Sequence, residues 1–145
     1  MYLTRHADYT IRLLMHLAVQ PEETATIRDI AEHYGISRNH LVKVANRAVQ
    51  AGYVTSVRGR VGGLRLAKAP AEIGIGQVLR TTEDWILVEC FDPDRNCCPI
   101  TTGCGLQSVL KEALDAYFAV LDRYSLADIV RKRTLLVQLL GLKTA

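Results

Sequence analysis

All four cysteines of the chain fall between residues 90 and 104: Cys90, then six residues, the adjacent pair Cys97 and Cys98, then five residues and Cys104. Thiols at fixed spacing act as staples, metal ligands or reagents, and each choice implies a different protein. The stretch ECFDPDRNCCPITTGCGL is broken by Pro93, Pro99, Gly103 and Gly105, so it reads as a loop. A disulfide between the adjacent residues 97 and 98 is strained, and disulfides do not persist in a reducing compartment. Structural zinc sites carry short Cys-x-x-Cys knuckles, which this stretch lacks. A bare thiol switch would draw on Arg95 to activate a neighbouring thiol, against Glu89, Asp92 and Asp94, which oppose it. An iron–sulfur cluster spreads its thiolates over a volume wider than one ion and accepts longer gaps. Spacing therefore favours a cluster over zinc and leaves the thiol switch open.

A second set of chemistry-bearing residues lies upstream. From Arg38 to Lys68 there are seven basic residues and no acidic one. Residues 1–70 carry ten Lys/Arg against five Asp/Glu, whereas residues 71–145 carry eight against ten. A one-signed stretch is the footprint of a face that binds a polyanion. Within it, Arg38, Asn39 and His40 are residue types that read base edges, and Ser37 and Lys43 suit phosphates. Arg58, Arg60 and Arg65 decorate the segment VRGRVGGLRL, where Gly59, Gly62 and Gly63 supply a turn. That segment lacks the Lys-Ser/Thr pair that a nucleotide-binding P-loop requires.

Periodicity indicates the elements that must position these groups. From Asp8, the residues Ile11, Leu14, Met15, Ala18 and Val19 recur at helical spacing, and the helix is expected to end near Pro21. Arg5, His6, Asp8, Arg12 and His16 interrupt that N-terminal stretch, so it is an amphipathic helix and not a signal peptide. Thr26 suits the N-cap of a second helix, with Asp29 three residues on and Gly35 as its stop. Ser37 suits the N-cap of a third, whose apolar stripe is Leu41, Val44, Ala45 and Ala48 and whose stop is Gly52. This is a helix-turn-helix. Alternation around Val54, Ser56, Leu64 and Leu66 adds a hairpin, the wing of a winged-helix module.

After one further short helix in IGIGQVLRTTED comes the cysteine loop, then the longest helical stretch. Its stripe of Leu106, Val109, Leu110, Ala113, Tyr117 and Val120 is widened by Leu114, Phe118 and Leu121. So apolar a helix predicts a partner helix from a second copy, in preference to packing on the first helix. Ser125 caps a last segment, LADIVRKRTLLVQLLG. The expected fold is mainly α with a small β-hairpin: a winged helix-turn-helix domain over 1–80, a cysteine-rich cluster-binding loop over 81–104, and a long dimerisation helix with a C-terminal segment over 105–145.

A chain of 145 residues, 49% hydrophobic and 23% charged, can bury its own core and has neither disordered nor membrane-spanning composition. A cytoplasmic protein with no membrane partner is expected. The chain offers no second cofactor motif, no paired catalytic carboxylates and no Ser/His/Asp set, which argues against an enzyme.

The stretches LTRHADYTIRLLMHLA, SRNHLVKVANRAVQAGYVTSVRGRVGGLRL, CPITTGCGL and YSLADIV together resemble the iron–sulfur winged-helix transcription regulators of the Rrf2 family. SRNHLVKV followed by AGYVTSVRGRVGG is most similar to the family's nitric-oxide-sensing repressors. The half from TTED through ECF to LGL is also similar to its iron-responsive repressors. The resemblance implies a homodimeric repressor of a double-stranded DNA operator, with one iron–sulfur cluster per subunit, 4Fe–4S or alternatively 2Fe–2S. It places the ligands at Cys90, Cys98 and Cys104, with Cys97 as the alternative to Cys98 and Asp8 reaching in from the partner subunit. Asp8 also suits a helix N-cap, and His6 reads as its solvated neighbour. Some members use a histidine just after the last cysteine; Gln107 stands there. DNA contacts are expected from Ser37, Arg38, Asn39, His40, Lys43, Arg58, Arg60, Gly62 and Gly63. The implied signal is nitric oxide, with iron availability or thiol redox state as alternatives.

Overall fold

The computed structural model describes residues 3–20, 22–59 and 62–142. The first helix, α1 (Arg5–Val19), runs through the middle of the fold and buries Ala7, Leu13, Leu14, Leu17, Ala18 and Val19. Its N-cap is Thr4, whose side chain accepts a hydrogen bond from the Ala7 amide. Asp8 thus lies in the first turn, four residues past the cap. There it favours the positive end of the helix dipole.

Helix α2 (Ile27–Tyr34) begins and ends as its sequence dictates. The Thr26 hydroxyl accepts from the Asp29 amide, and Gly35 adopts the left-handed conformation at φ 62° that releases the chain into the turn. Helix α3 (Arg38–Gln50) buries the expected stripe of Leu41, Val44, Ala45 and Ala48 against α1 and α2. Each leucine or valine so buried contributes roughly 1.5–3 kcal/mol. Ser37 holds the N-cap position, yet among the described residues its hydroxyl makes no capping hydrogen bond.

Strands β1 (Val54–Val57) and β2 (Gly63–Leu66) pair antiparallel, with Val54 opposite Leu66 and Ser56 opposite Leu64. A bridge from Ala25 to Leu64 ties this hairpin to the start of α2. The approach is so close that a Cβ on Gly63 would stand 2.8 Å from the Ala25 carbonyl oxygen, so only glycine fits.

Helix α4 (Ile75–Thr82) follows, with Ile75, Val78 and Leu79 buried. Among the described residues, the connection from there to α5 (Leu106–Leu121) contains a single 3₁₀ turn at Glu89–Phe91 and otherwise irregular chain. On α5, Phe118 is buried and Leu114, Tyr117 and Leu121 are half-buried. Leu106, Val109 and Val120 are 56%, 61% and 47% exposed, so the predicted broad apolar surface divides into an inner face on the core and an outer face in solvent.

The inner face is anchored at its C-terminal end. Arg80 donates to both carboxylate oxygens of Asp122 at 2.6 and 2.8 Å, and its guanidinium lies 4.0 Å from the Phe118 ring centroid. Gly76 makes room for this clasp, since a Cβ there would be 2.0 Å from Asp122 Oδ1. Trp85 completes the joint: its indole N–H donates to the Leu79 carbonyl, and its ring meets Phe118 edge-on at 4.9 Å.

The last segment, expected as one stretch, is two helices, α6 (Leu126–Ile129) and α7 (Arg133–Leu139). The break follows from packing. Val130 turns inward to 8% exposure, and Arg133 reaches back to donate to the Val19 carbonyl at 2.6 Å, satisfying the C-terminal end of α1. No described helix is long and apolar enough to cross a membrane.

Candidate functional site

Two groups of residues stand out for chemistry, and the fold places them on different elements. The first is the leading turn of α3. Ser37, Arg38, Asn39 and Lys43 are all exposed there, as expected of side chains that reach a groove. His40 differs: it is half-buried, and its ring meets Tyr9 of α1 edge-on at 5.2 Å. Arg58 and Arg65 are exposed on the hairpin, and Arg60 lies outside the described residues. Gly62 and Gly63 shape the hairpin: a Cβ on Gly62 would stand 2.6 Å from the Val57 carbonyl oxygen.

The second group is the cysteine loop. Cys90, Cys97, Cys98 and Cys104 are free thiols, with Cys97 exposed and the other three half-buried. Side chains hold the loop where regular hydrogen bonding is missing. Gln107, in the first turn of α5, donates to the Cys90 carbonyl at 2.7 Å. Cys104 lies one residue before Gly105, the N-cap of α5, so this bond brings the Cys90 end of the loop to the helix end that Cys104 adjoins in the chain. The Glu89 carboxylate accepts from the Cys97 amide. Asn96 accepts from the Cys98 amide at 3.1 Å and donates to the Thr101 hydroxyl at 3.1 Å, while that hydroxyl donates to the Cys98 carbonyl at 2.8 Å. Between loop and helix runs a groove of about 620 Å³, lined by Cys90, Phe91, Pro93, Gln107, Lys111 and Leu114 among others.

The donors suit an iron–sulfur cluster in kind, being unpaired thiols gathered on one loop. Yet among the described residues no three Cys, His, Asp or Glu side chains converge closely enough to hold a metal ion. Asp8 stands apart from the loop's hydrogen bonds. Its carboxylate pairs with Arg12, at 3.0 Å to Nε and 2.8 Å to Nη2, and stays 40% exposed.

The sequence did not reveal how the two histidines of α1, His6 and His16, are placed. His6, read as solvated, is half-buried with Nε2 enclosed and unpartnered among the described residues. Burial, then Arg47 and His40, lower its pKa, against Glu83, which raises it. His16, read as a polar interruption, is 2% exposed and stacks on His33 of α2 at 5.3 Å. Burial, then His33, depress its pKa to about 4. The loop braces Glu89, Asn96, Thr101 and Gln107 were also missed; polar types flanking cysteines were their only signal.

The sequence profile of the Rrf2 family, described as an iron-dependent transcriptional regulator, matches residues 3–132. The chain belongs to the Rrf2 family. Across 145 residues it is 50% identical to the HTH-type transcriptional regulator NsrR of Bacillus subtilis strain 168, covering 99% of each chain. It superposes on the IscR of T. potens with a TM-score of 0.74 at 26% identity, covering 91% of this chain and 88% of that one. The global cysteine regulator CymR of B. subtilis shares the fold, with a TM-score of 0.68 at 23% identity, over 91% of this chain and 98% of that one. As an Rrf2 protein the chain is a DNA-binding transcription regulator and not an enzyme. Helices α2 and α3 with the hairpin form the winged helix-turn-helix.

Proposed function

We propose that this Rrf2 protein is a homodimeric repressor whose hold on a double-stranded DNA operator is set by one iron–sulfur cluster per subunit, of the 4Fe–4S type, with nitric oxide as the signal. The observation that carries the reading is the loop of four free thiols fastened by Gln107 to the start of α5, whose outer face is apolar and open. Cys90, Cys98 and Cys104 would hold the cluster, with Asp8 of the second copy as a carboxylate ligand. When bound, the cluster supplies iron open to attack by nitric oxide, because an oxygen donor is harder and weaker toward iron than a thiolate.

The chain's own residues carry the rest. Gln107 couples Cys90 to α5, the Arg80–Asp122 clasp couples α5 to α4, and α4 is joined to the wing by a connection that holds a 3₁₀ turn at Pro70–Glu72. In the dimer, Leu106, Val109 and Val120 would face their copies, so a shift of α5 changes the spacing of the two α3 helices. A hundredfold difference in operator affinity requires about 2.7 kcal/mol between the two arrangements.

Iron availability is the second reading of the signal, favoured by the family's iron-dependent description. One experiment separates the two. The operator is first selected from random DNA with anaerobically purified protein. The protein is then titrated with nitric oxide and, separately, with an iron chelator while operator binding is followed. Release by nitric oxide at stoichiometric dose supports the first reading, and release by chelator alone the second. Cys98→Ala and Cys104→Ala should each abolish visible absorption and weaken binding. Full colour in either variant overturns the ligand assignment.

A further inference from the structure

The adjacent cysteines 97 and 98 are treated very differently by the fold. Both backbone polar groups of Cys98 are engaged, the amide by Asn96 and the carbonyl by Thr101, and its side chain is half-buried. Cys97 instead turns its side chain to solvent, and its amide is held by Glu89. Three thiols and a carboxylate complete the ligand set proposed above, so Cys97 is surplus to it. The Glu89 contact also has a geometric consequence: it lays the chain at residue 97 alongside residue 89, the immediate neighbour of Cys90.

We propose that Cys97 is an oxidant-reactive thiol that captures Cys90 in a disulfide, giving the loop a second, peroxide-driven input beside the cluster. The inference rests on the cluster reading only for its consequence; the thiol chemistry stands without it. Exposure selects Cys97 as the first thiol to meet a solvent-borne peroxide, against the nearby carboxylates of Glu89, Asp92 and Asp94, which oppose its activation. Its sulfur attacks hydrogen peroxide: an S–O bond forms, the O–O bond breaks, and one water leaves, giving a sulfenic acid. The Cys90 sulfur then attacks that sulfur; an S–S bond forms, the S–O bond breaks, and the hydroxyl departs as a second water with the Cys90 proton. Two thiols are oxidised by two electrons and one peroxide is reduced to two waters. Cys98 is disfavoured as the partner because a bridge between adjacent residues is strained. Cys90, once in the disulfide, is lost as a ligand, and the loop end fastened by Gln107 is the end that changes.

The test uses the full chain, parent and Cys97→Ala, each in anaerobically purified and metal-free form. The two anaerobic proteins should show equal visible absorption. The metal-free parent, treated with one equivalent of hydrogen peroxide, should give a Cys90–Cys97 disulfide by non-reducing peptide mass mapping, reversed by dithiothreitol. Peroxide should abolish operator binding of the anaerobic parent about tenfold faster than that of Cys97→Ala. Colour lost in Cys97→Ala makes Cys97 a ligand and overturns the proposal. So does equal peroxide sensitivity of the two proteins, or a disulfide that omits Cys97. If the parent itself binds no cluster, the function proposed above fails, and peptide mapping of the metal-free chain still decides this one.

Discussion

Acidification should destabilise this fold through one buried ring. His16 is 2% exposed between α1 and α2, stacked on His33 at 5.3 Å and tilted against Tyr34 at 5.9 Å. Its Nδ1 has no hydrogen-bond partner among the described residues. Burial, then the like charge of His33, hold its pKa at about 4 against the ordinary 6.5, with Asp29 opposing weakly. The folded state thus keeps the ring neutral where the unfolded chain would protonate it. Its contribution is complete above the unfolded value of 6.5 and is lost as the pH falls toward 4. Between about pH 7 and about pH 5 the loss amounts to about 2 kcal/mol, a large share of a small domain's stability. Urea denaturation of the parent and of His16→Gln at the two pH values measures it. The groups common to both proteins, His6 included, cancel, so the variant should lose about 2 kcal/mol less on acidification. An equal acid sensitivity in both proteins refutes the reasoning. So does a His16 imidazole that titrates near its ordinary value by NMR, a measurement that needs no variant.

The remaining predictions concern the joint, the hairpin and the DNA face. Gly76→Ala should lower the thermal midpoint by a few degrees, because its Cβ displaces Asp122 from Arg80; in an Asp122→Ala background the same change should cost almost nothing. Gly63→Ala meets backbone 2.8 Å away and should cost about 1–3 kcal/mol in urea denaturation while weakening operator binding through a displaced wing. Arg38→Ala should relax base preference in a binding-site selection. Arg58→Ala should weaken all sequences alike and reduce the salt slope of binding by about one.

The parts of the fold that were legible in the sequence are those fixed by local rules. Thr26 and Gly35 bound α2 through capping chemistry that acts within four residues, and the α3 stripe follows from period alone. Alternation about the glycines marked the two strands of the hairpin, whose register sets Val54 opposite Leu66. Pairings distant along the chain left no local trace. Arg80 and Asp122 are 42 residues apart, and Gln107 reaches Cys90 across 17. His16 was misjudged for a related reason: an imidazole inside an apolar stripe reads as a solvated interruption until α2 folds over it. The split between α6 and α7 likewise depends on Arg133 finding the end of α1, 114 residues away. At the cysteine loop the thiols announced themselves, while the distinction between Cys97 and Cys98 lay in which backbone groups Asn96, Thr101 and Glu89 engage.

The chain has a single tryptophan, and Trp85 stands at the joint where α4 meets α5, edge-on to Phe118 and beside Tyr117. Indole emission from this protein therefore comes from one place. A shift of α5 of the kind proposed above would change the packing around that indole. Its emission is a built-in optical gauge of the α4–α5 joint, readable in solution without a label or a bound operator.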